Sequence, residues 1–346
     1  MTEAQTVPAG IDADKVGRWI DQKFGVSEVS YSVLSVGRSN LTYTVDVGGE
    51  PRWVLRRPPL GHQGGSAHDV EREGRIMAAL GSTQVPVPNV LEIVDDPAVM
   101  EVPFVFMDHC PGFPLNTPEE WALIPAEKHR ETAFRMVDTL AAIHRVDIDA
   151  AGLGDLRRPG NLVERQLRRW LGQFENITQR DIPVIREVHD VLVERMPKAD
   201  DVVTGIAHGD YKPNNMIFAP DGTINAVVDW ELTAIGDVLT DLGYFVAMFE
   251  TPQQYTNIWV PGQDDGFPPT RELIAHYEEQ TGTRAQNVNY YAAFALWKLA
   301  CIREGVYTRM INGQMGDLSF NAEETGEGVE GLARQALTML DADFHS

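Results

Sequence analysis

Cysteine is scarce: Cys110 and Cys301 are the only two in 346 residues. A disulfide framework is therefore excluded, and even one bridge is not expected. Neither cysteine lies in a Cys-x-x-Cys or Cys/His cluster, which argues against a thiolate zinc site. Positive charge is also in short supply. Lysine and arginine number 29 against 51 aspartates and glutamates, for a net charge of −22. So acidic a chain is poorly suited to nucleic-acid backbone, and no nucleic-acid partner is expected. There is no run of about 18 apolar residues, so no membrane span is expected. The stretch MTEAQTVPAGIDADK lacks a basic segment followed by an apolar one, so no secretory signal is expected. The expected location is cytoplasmic. Internal repeats and low-complexity tracts are missing too.

What is present is ordinary globular composition, 43% hydrophobic and 23% charged. The length suits two domains or lobes. Residues 11–24 place Ile11, Val16, Trp19, Ile20 and Phe24 on one helical face, with Asp12 or Asp14 able to cap it. Runs at 29–36, 41–47 and 52–56, separated by Gly37 and Gly48-Gly49, predict an antiparallel meander. A helix is expected over 67–80, then strands at 90–94 and 102–107, the second broken by Pro111-Gly112. Helical periods then dominate, at 126–145, 162–174, 183–195, 271–281, 288–307 and 329–340. Two short strand-like runs, 215–218 and 224–228, are joined by the turn Pro220-Asp221-Gly222. A sheet-rich first third and a helix-rich remainder predict an α+β chain, with lobes at 1–108 and 109–346.

The chemistry concentrates in His208-Gly209-Asp210-Tyr211-Lys212-Pro213-Asn214-Asn215 and in Val227-Val228-Asp229-Trp230-Glu231. Asp210 and Asn215 are five residues apart, and Asp229 follows fourteen later. Apolar strand residues lead out of the first loop and into the second, which would hold each polar group rigidly. An Asp, an Asn and a second Asp on such loops suit phosphoryl transfer. One carboxylate can take the proton of a hydroxyl. An amide oxygen and a second carboxylate can hold Mg²⁺, which prefers hard oxygen ligands and keeps several waters. His-x-Asp-x-x-x-x-Asn, a hairpin and a further Asp is also the layout of the protein-kinase template.

These residues resemble the catalytic loop and metal aspartate of the aminoglycoside phosphotransferase and choline-kinase-like family. The closer similarity is to a branch related to the kinase-like domain fused to some acyl-CoA dehydrogenases. It extends through Trp-Val-Leu-Arg-Arg-Pro-Pro at 53–59, Pro-Val-Pro at 86–88 and 229–244, and covers roughly residues 30–310. The resemblance implies a protein-kinase-like two-lobed fold with a small antiparallel-sheet N-lobe and a larger helical C-lobe. It implies ATP or another NTP, Mg²⁺ and a small-molecule hydroxyl acceptor. Asp210 would be the catalytic base, with Asn215 and Asp229 as metal ligands. Arg56 stands where most of the family has Lys, and keeps the charge while adding a bidentate fork. Glu73, rather than Glu71, would be its partner. Ser39 and Asn40 would contribute to the phosphate-covering loop. Met107, Asp108 and Cys110 would line the adenine site, the last two through their backbone. Asp241 would either cap its helix or accept backbone N–H groups of the catalytic loop.

The acceptor is less defined. The acidic total suits a polycation such as an aminoglycoside. The island of Arg157, Arg158, Arg165, Arg168 and Arg169 suits an anionic compound instead. Two other readings of the whole are a nucleotide-binding pseudokinase acting through partners and a metal-dependent hydrolase.

Overall fold

The computed structural model describes residues 7–36, 40–61, 69–256, 258–314 and 321–344. The chain forms two compact units, 1–111 with 225–231, and 112–224 with 232–346. The segment carrying Asp229 thus groups with the first unit, although the sequence boundary placed it with the helical part.

The first unit is built on a five-stranded antiparallel sheet. Its strands are β1 (Ser30–Val36), β2 (Leu41–Val47), β3 (Glu50–Arg57), β4 (Val90–Val94) and β5 (Phe104–Asp108). Their order is β1-β2-β3-β5-β4. Helix α1 (Ala13–Phe24) is capped by Asp12, which accepts the Lys15 N–H, and ends on Gly25 in the left-handed region. It lays Val16, Trp19 and Ile20 against Trp53, Leu55, Phe104 and Phe106. Side chains alternate across a strand, so Arg56 and Val105 point to the opposite face. Helix α2 (Val70–Leu80), capped by Asp69, packs there against β4 and β5.

The second unit is mainly helical. It contains α3 (Pro118–Trp121), α4 (Ala126–His144), α5 (Leu162–Ile177) and α6 (Pro183–Glu194). Strands β6 (Thr204–Ala207), β7 (Met216–Phe218), β8 (Ile224–Val227) and β9 (Ala234–Asp237) follow, with β8 running on into the first unit. Then come α7 (Leu239–Glu250), α8 (Gln253–Thr256), α9 (Thr270–Thr281), α10 (Val288–Ile311) and α11 (Ala322–Leu340). Helix α10 packs against α5, α6, α7 and α11, and is the unit's axis. Thirteen of its 24 residues are buried, so a single amphipathic stripe is not its pattern.

Three differences from the sequence expectations have physical causes. Asn215 is not in a strand: Pro213 opens a 3₁₀ turn over Pro213–Asn215, and β7 begins at Met216. Helix α11 starts at Ala322 rather than 329, because its glycines are packed. The positions of Gly328 and Gly331 are occupied closely by the side chains of Arg303 and Tyr255. Strands β6 and β9 escaped notice because each is four residues long and, among the described residues, they form a two-stranded sheet.

Gly243 sets how closely α7 and α10 approach. A Cβ there would lie 2.3 Å from Tyr291 Cβ and 2.4 Å from its carbonyl carbon. Gly243→Ala is expected to destabilise the fold by about 1–3 kcal/mol through overpacking, measured as a lowered urea midpoint. An unchanged midpoint would mean that the two helices separate without cost.

Candidate active site

In the first unit, polar groups converge on Glu73. This carboxylate is 1% exposed and lies in the first turn of α2. Its Oε2 accepts from Arg56 Nε at 2.7 Å and Asn40 Nδ2 at 3.4 Å, and its Oε1 from the Trp230 N–H at 3.2 Å. Arg56 uses its other nitrogens as well. Nη1 donates to Thr42 Oγ1 at 3.2 Å and Nη2 to Asp229 Oδ1 at 2.8 Å. One guanidinium therefore ties together β2, β3, α2 and the segment after β8. Burial works against the charge, yet Glu73 and Asp229 hold the Arg56 guanidinium above its ordinary range. Burial pushes the Glu73 carboxyl up, and Arg56 draws it back. Glu71 lies on the half-buried outer side of the helix.

Asp229 has φ +68, in the left-handed region where aspartate is tolerated better than most residues. Trp230, fully buried, fixes this bend by donating Nε1–H to the Val227 carbonyl at 2.9 Å. Arg57 points the other way, as alternation requires, and donates to the carbonyls of Gly10 and Pro58.

In the second unit, the loop from His208 to Asn215 is held from beneath by Asp241. This buried carboxylate accepts the N–H of His208 at 2.6 Å and of Gly209 at 2.8 Å. The helix cap is Val238, so Asp241 works across to the loop rather than as an N-cap. Burial alone would raise the Asp241 carboxyl. Bonding and charge from His144, with His208 and Gly209, hold it below its ordinary value. His208 is fully buried and its Nδ1 accepts the Asp210 N–H at 3.3 Å. Asn215 Nδ2 donates to the Asp210 backbone carbonyl at 2.9 Å and to Oδ2 at 2.8 Å, which turns its amide oxygen away from Asp210. Lys212 Nζ reaches the same Oδ2 at 2.9 Å. The Tyr244 hydroxyl faces Asp210 and Lys212, and burial and the Asp210 charge raise it.

The remaining expected residues fall as follows. Ser39 lies outside the described residues. Asn40 is 1% exposed, and its Oδ1 has no hydrogen-bond partner among the described residues. Met107 is buried on β5, paired with Val54 and Val90. The Asp108 N–H is taken by the Asn89 carbonyl at 2.9 Å, and its side chain by Asn89 Nδ2 at 2.8 Å. Burial, then the Asp108 charge, raises the Cys110 thiol, which keeps it protonated and unreactive at neutral pH.

The arginine island is answered locally. Arg157 meets Asp149 through two nitrogens at 2.6 and 2.9 Å, and Arg168 meets Glu164 at 2.8 Å. Arg165 donates to the carbonyls of Pro159 and Gly160, and Arg158 to that of Asp155. Arg169 lies over the Trp170 ring. These contacts neutralise or occupy much of the basic face that suggested an anionic acceptor. Sequence reading passed over Lys298 and Tyr244. The available signal for Lys298 was a single charge inside the apolar run 291–301.

A sequence profile of the phosphotransferase enzyme family matches residues 30–285. Acyl-CoA dehydrogenase family member 10 of Mus musculus is 33% identical over 87% of this chain, which spans 28% of that protein's length. A solved structure from Ralstonia eutropha, named by inference as an aminoglycoside phosphotransferase, is 30% identical. It covers 95% of this chain and 98% of its own, with a TM-score of 0.79. A thermostable mutant aminoglycoside phosphotransferase, in ternary complex with AMP-PNP and hygromycin B, shares the fold at 17% identity. Its TM-score is 0.60, over 95% of this chain and 99% of its own.

Asp241→Asn removes one of the two acceptors beneath the loop and sets an N–H₂ group against a backbone N–H. The cost expected is about 1–3 kcal/mol in urea unfolding at neutral pH. Because the folded carboxyl is depressed, its contribution is present above the ordinary aspartate range, near pH 4, and is lost as pH falls through the folded value. The wild type should lose this increment on acidification, and the variant should have none to lose. Parallel acid profiles for the two proteins would refute the assignment.

Proposed function

Because the chain belongs to the phosphotransferase enzyme family, we propose that it is an ATP-dependent small-molecule kinase that moves the γ-phosphoryl group onto a substrate hydroxyl. Family membership places it among phosphotransferases with hydroxyl acceptors, and its fold is α+β and protein-kinase-like. The observation that carries the proposal is the loop geometry: Asp210 is held at its backbone and its carboxylate by Asn215, five residues on.

Asp210 would accept the proton of the acceptor hydroxyl as that oxygen forms a bond to the γ-phosphorus and the bond to ADP breaks. Asn215 and Lys212 bond to its Oδ2, and the Tyr244 hydroxyl also bonds to this carboxylate, so its orientation is held from three sides. Asn215 and Asp229 offer an amide oxygen and a carboxylate, a hard-oxygen donor set suited to Mg²⁺. When bound, Mg²⁺ would neutralise phosphate charge. Arg56, braced by Glu73, would turn its fork from Asp229 toward the α- and β-phosphates. The Asp108 carbonyl and the Cys110 N–H would read adenine, with Met107 as a wall and with Ser39 and Asn40 beside the phosphates. Catalysis would be mainly positioning and charge neutralisation.

The acceptor class stays at a hydroxyl-bearing small molecule. The hygromycin B complex belongs to a distant relative, and the mouse relative's name points to acyl-CoA chemistry through a much longer chain. A hydrolase would call for a cluster of His and carboxylate ligands. Among the described residues no group of three or more His, Cys, Asp or Glu could hold a metal ion.

Transfer from γ-labelled ATP to a panel of aminoglycosides, hydroxy acids and hydroxyacyl thioesters tests the proposal. Asp210→Asn should lower transfer about 10²–10⁴-fold while leaving ATP binding intact. Full activity in that variant would remove Asp210 from the chemistry. Asp229→Ala should abolish the Mg²⁺-dependent tightening of ATP seen by calorimetry, and Asn215→Ala should weaken it less. An Asp229→Ala protein that still responds fully to Mg²⁺ would place the metal elsewhere.

A further inference from the structure

Lys298 sits in the run Ala295-Leu296-Trp297-Lys298-Leu299-Ala300, the only charged residue of α10 before Arg303. Leu296, Trp297 and Ala300 around it are buried. A cation in such a place costs free energy unless it is matched by acceptors. Its Nζ donates to the Gly209 carbonyl at 3.0 Å. Gly209 has φ +86, and a Cβ there would lie 2.5 Å from the Leu232 carbonyl oxygen, so side chains are excluded from this position. With no side chain to anchor it, Gly209 is held by its backbone groups. The N–H goes to Asp241 Oδ1 at 2.8 Å, and the carbonyl goes to Lys298. That carbonyl belongs to the peptide that carries the Asp210 nitrogen.

We propose that Lys298 is a positioning residue: its ammonium clamps the Gly209–Asp210 peptide against α10, opposite the Asp241 carboxylate, and so fixes where the Asp210 side chain points. The proposal rests on the reading of Asp210 as the proton acceptor.

An alternative role, anchoring the acceptor directly, does not suit the space available. The cavity beside Lys298, bordered by Gln166, Gly209, Thr240 and Tyr244, is about 30 Å³. A water needs roughly 10–15 Å³ measured this way, so there is room for two or so and none for a substrate group.

The charged groups facing Lys298 come from three elements. Asp210 and Lys212 lie on the loop, Asp241 on α7 and Arg169 on α5. Burial is the largest influence and lowers the ammonium below the ordinary lysine range, against the pull of the two carboxylates. The clamp is therefore lost as pH rises through that lowered value. An arginine at 298 keeps its charge throughout.

The test compares wild type, Lys298→Met and Lys298→Arg in the full chain by hydrogen–deuterium exchange and by ATP turnover. Lys298→Met should speed exchange of the amides at 208–211 about tenfold or more, the equivalent of one charge-assisted hydrogen bond. It should also lower kcat about 10–100-fold with the KM for ATP unchanged. Lys298→Arg should restore both and carry the alkaline limb of the kcat profile to higher pH. Wild-type exchange in Lys298→Met, or no rescue by arginine, would overturn the clamp. If Lys298→Met does not fold, wild-type exchange decides: after correction for intrinsic rates, protection of the loop amides at 208–211 must fall with rising pH ahead of protection in α10. If wild-type protein turns over no ATP with any acceptor, the kinase reading fails, while exchange still judges the clamp.

Discussion

A carboxylate taken out of water must be met by donors, and each unit of this protein arranges a polar corner around one that has been. In the first unit it is Glu73, which receives a guanidinium, an amide and a backbone N–H. In the second it is Asp241, which receives two consecutive backbone N–H groups. Each carboxylate sits in the first turn of a helix packed into its unit, so its position is inherited from a rigid element. The loops above them are irregular, and these bonds supply the order that secondary structure does not.

Arginine at position 56 changes what a single cation can do. A lysine offers one nitrogen, whereas the planar fork reaches Glu73, Thr42 and Asp229 at once. The residue thereby joins the helix carboxylate Glu73 to Asp229, the carboxylate proposed as a metal ligand. The left-handed Asp229 fits this scheme. It is held by the Trp230 bonds on one side and by Arg56 on the other.

The sequence was read correctly where the signal is local. Strand periodicity fixed the meander, helical periodicity fixed most of the long helices, and Asp12 capped α1 as its position suggested. The family resemblance picked Glu73 over Glu71, and the structure sets Glu73 against Arg56. The arginine island shows what sequence reading leaves out. Composition counts charges, but Asp149, Glu164 and the carbonyls at 159–160 that answer them are recognisable only once the chain is folded.

By itself the sequence determined most of the longer elements in their order and which residues are candidates for chemistry, because side-chain period and motif spacing are properties of neighbours in the chain. It also determined the family, since Asp210, Asn215 and Asp229 stand at their family spacing in it. The tertiary structure alone decided which backbone groups those residues lean on. Lys298 is 88 residues past Asp210, and no periodicity links the two, yet α10 brings its ammonium to the peptide next to that aspartate. Strands β6 and β9 exist only as a pair for the same reason. Contacts between distant segments are set by how buried faces pack, and packing depends on the shape of the whole core rather than on any local pattern.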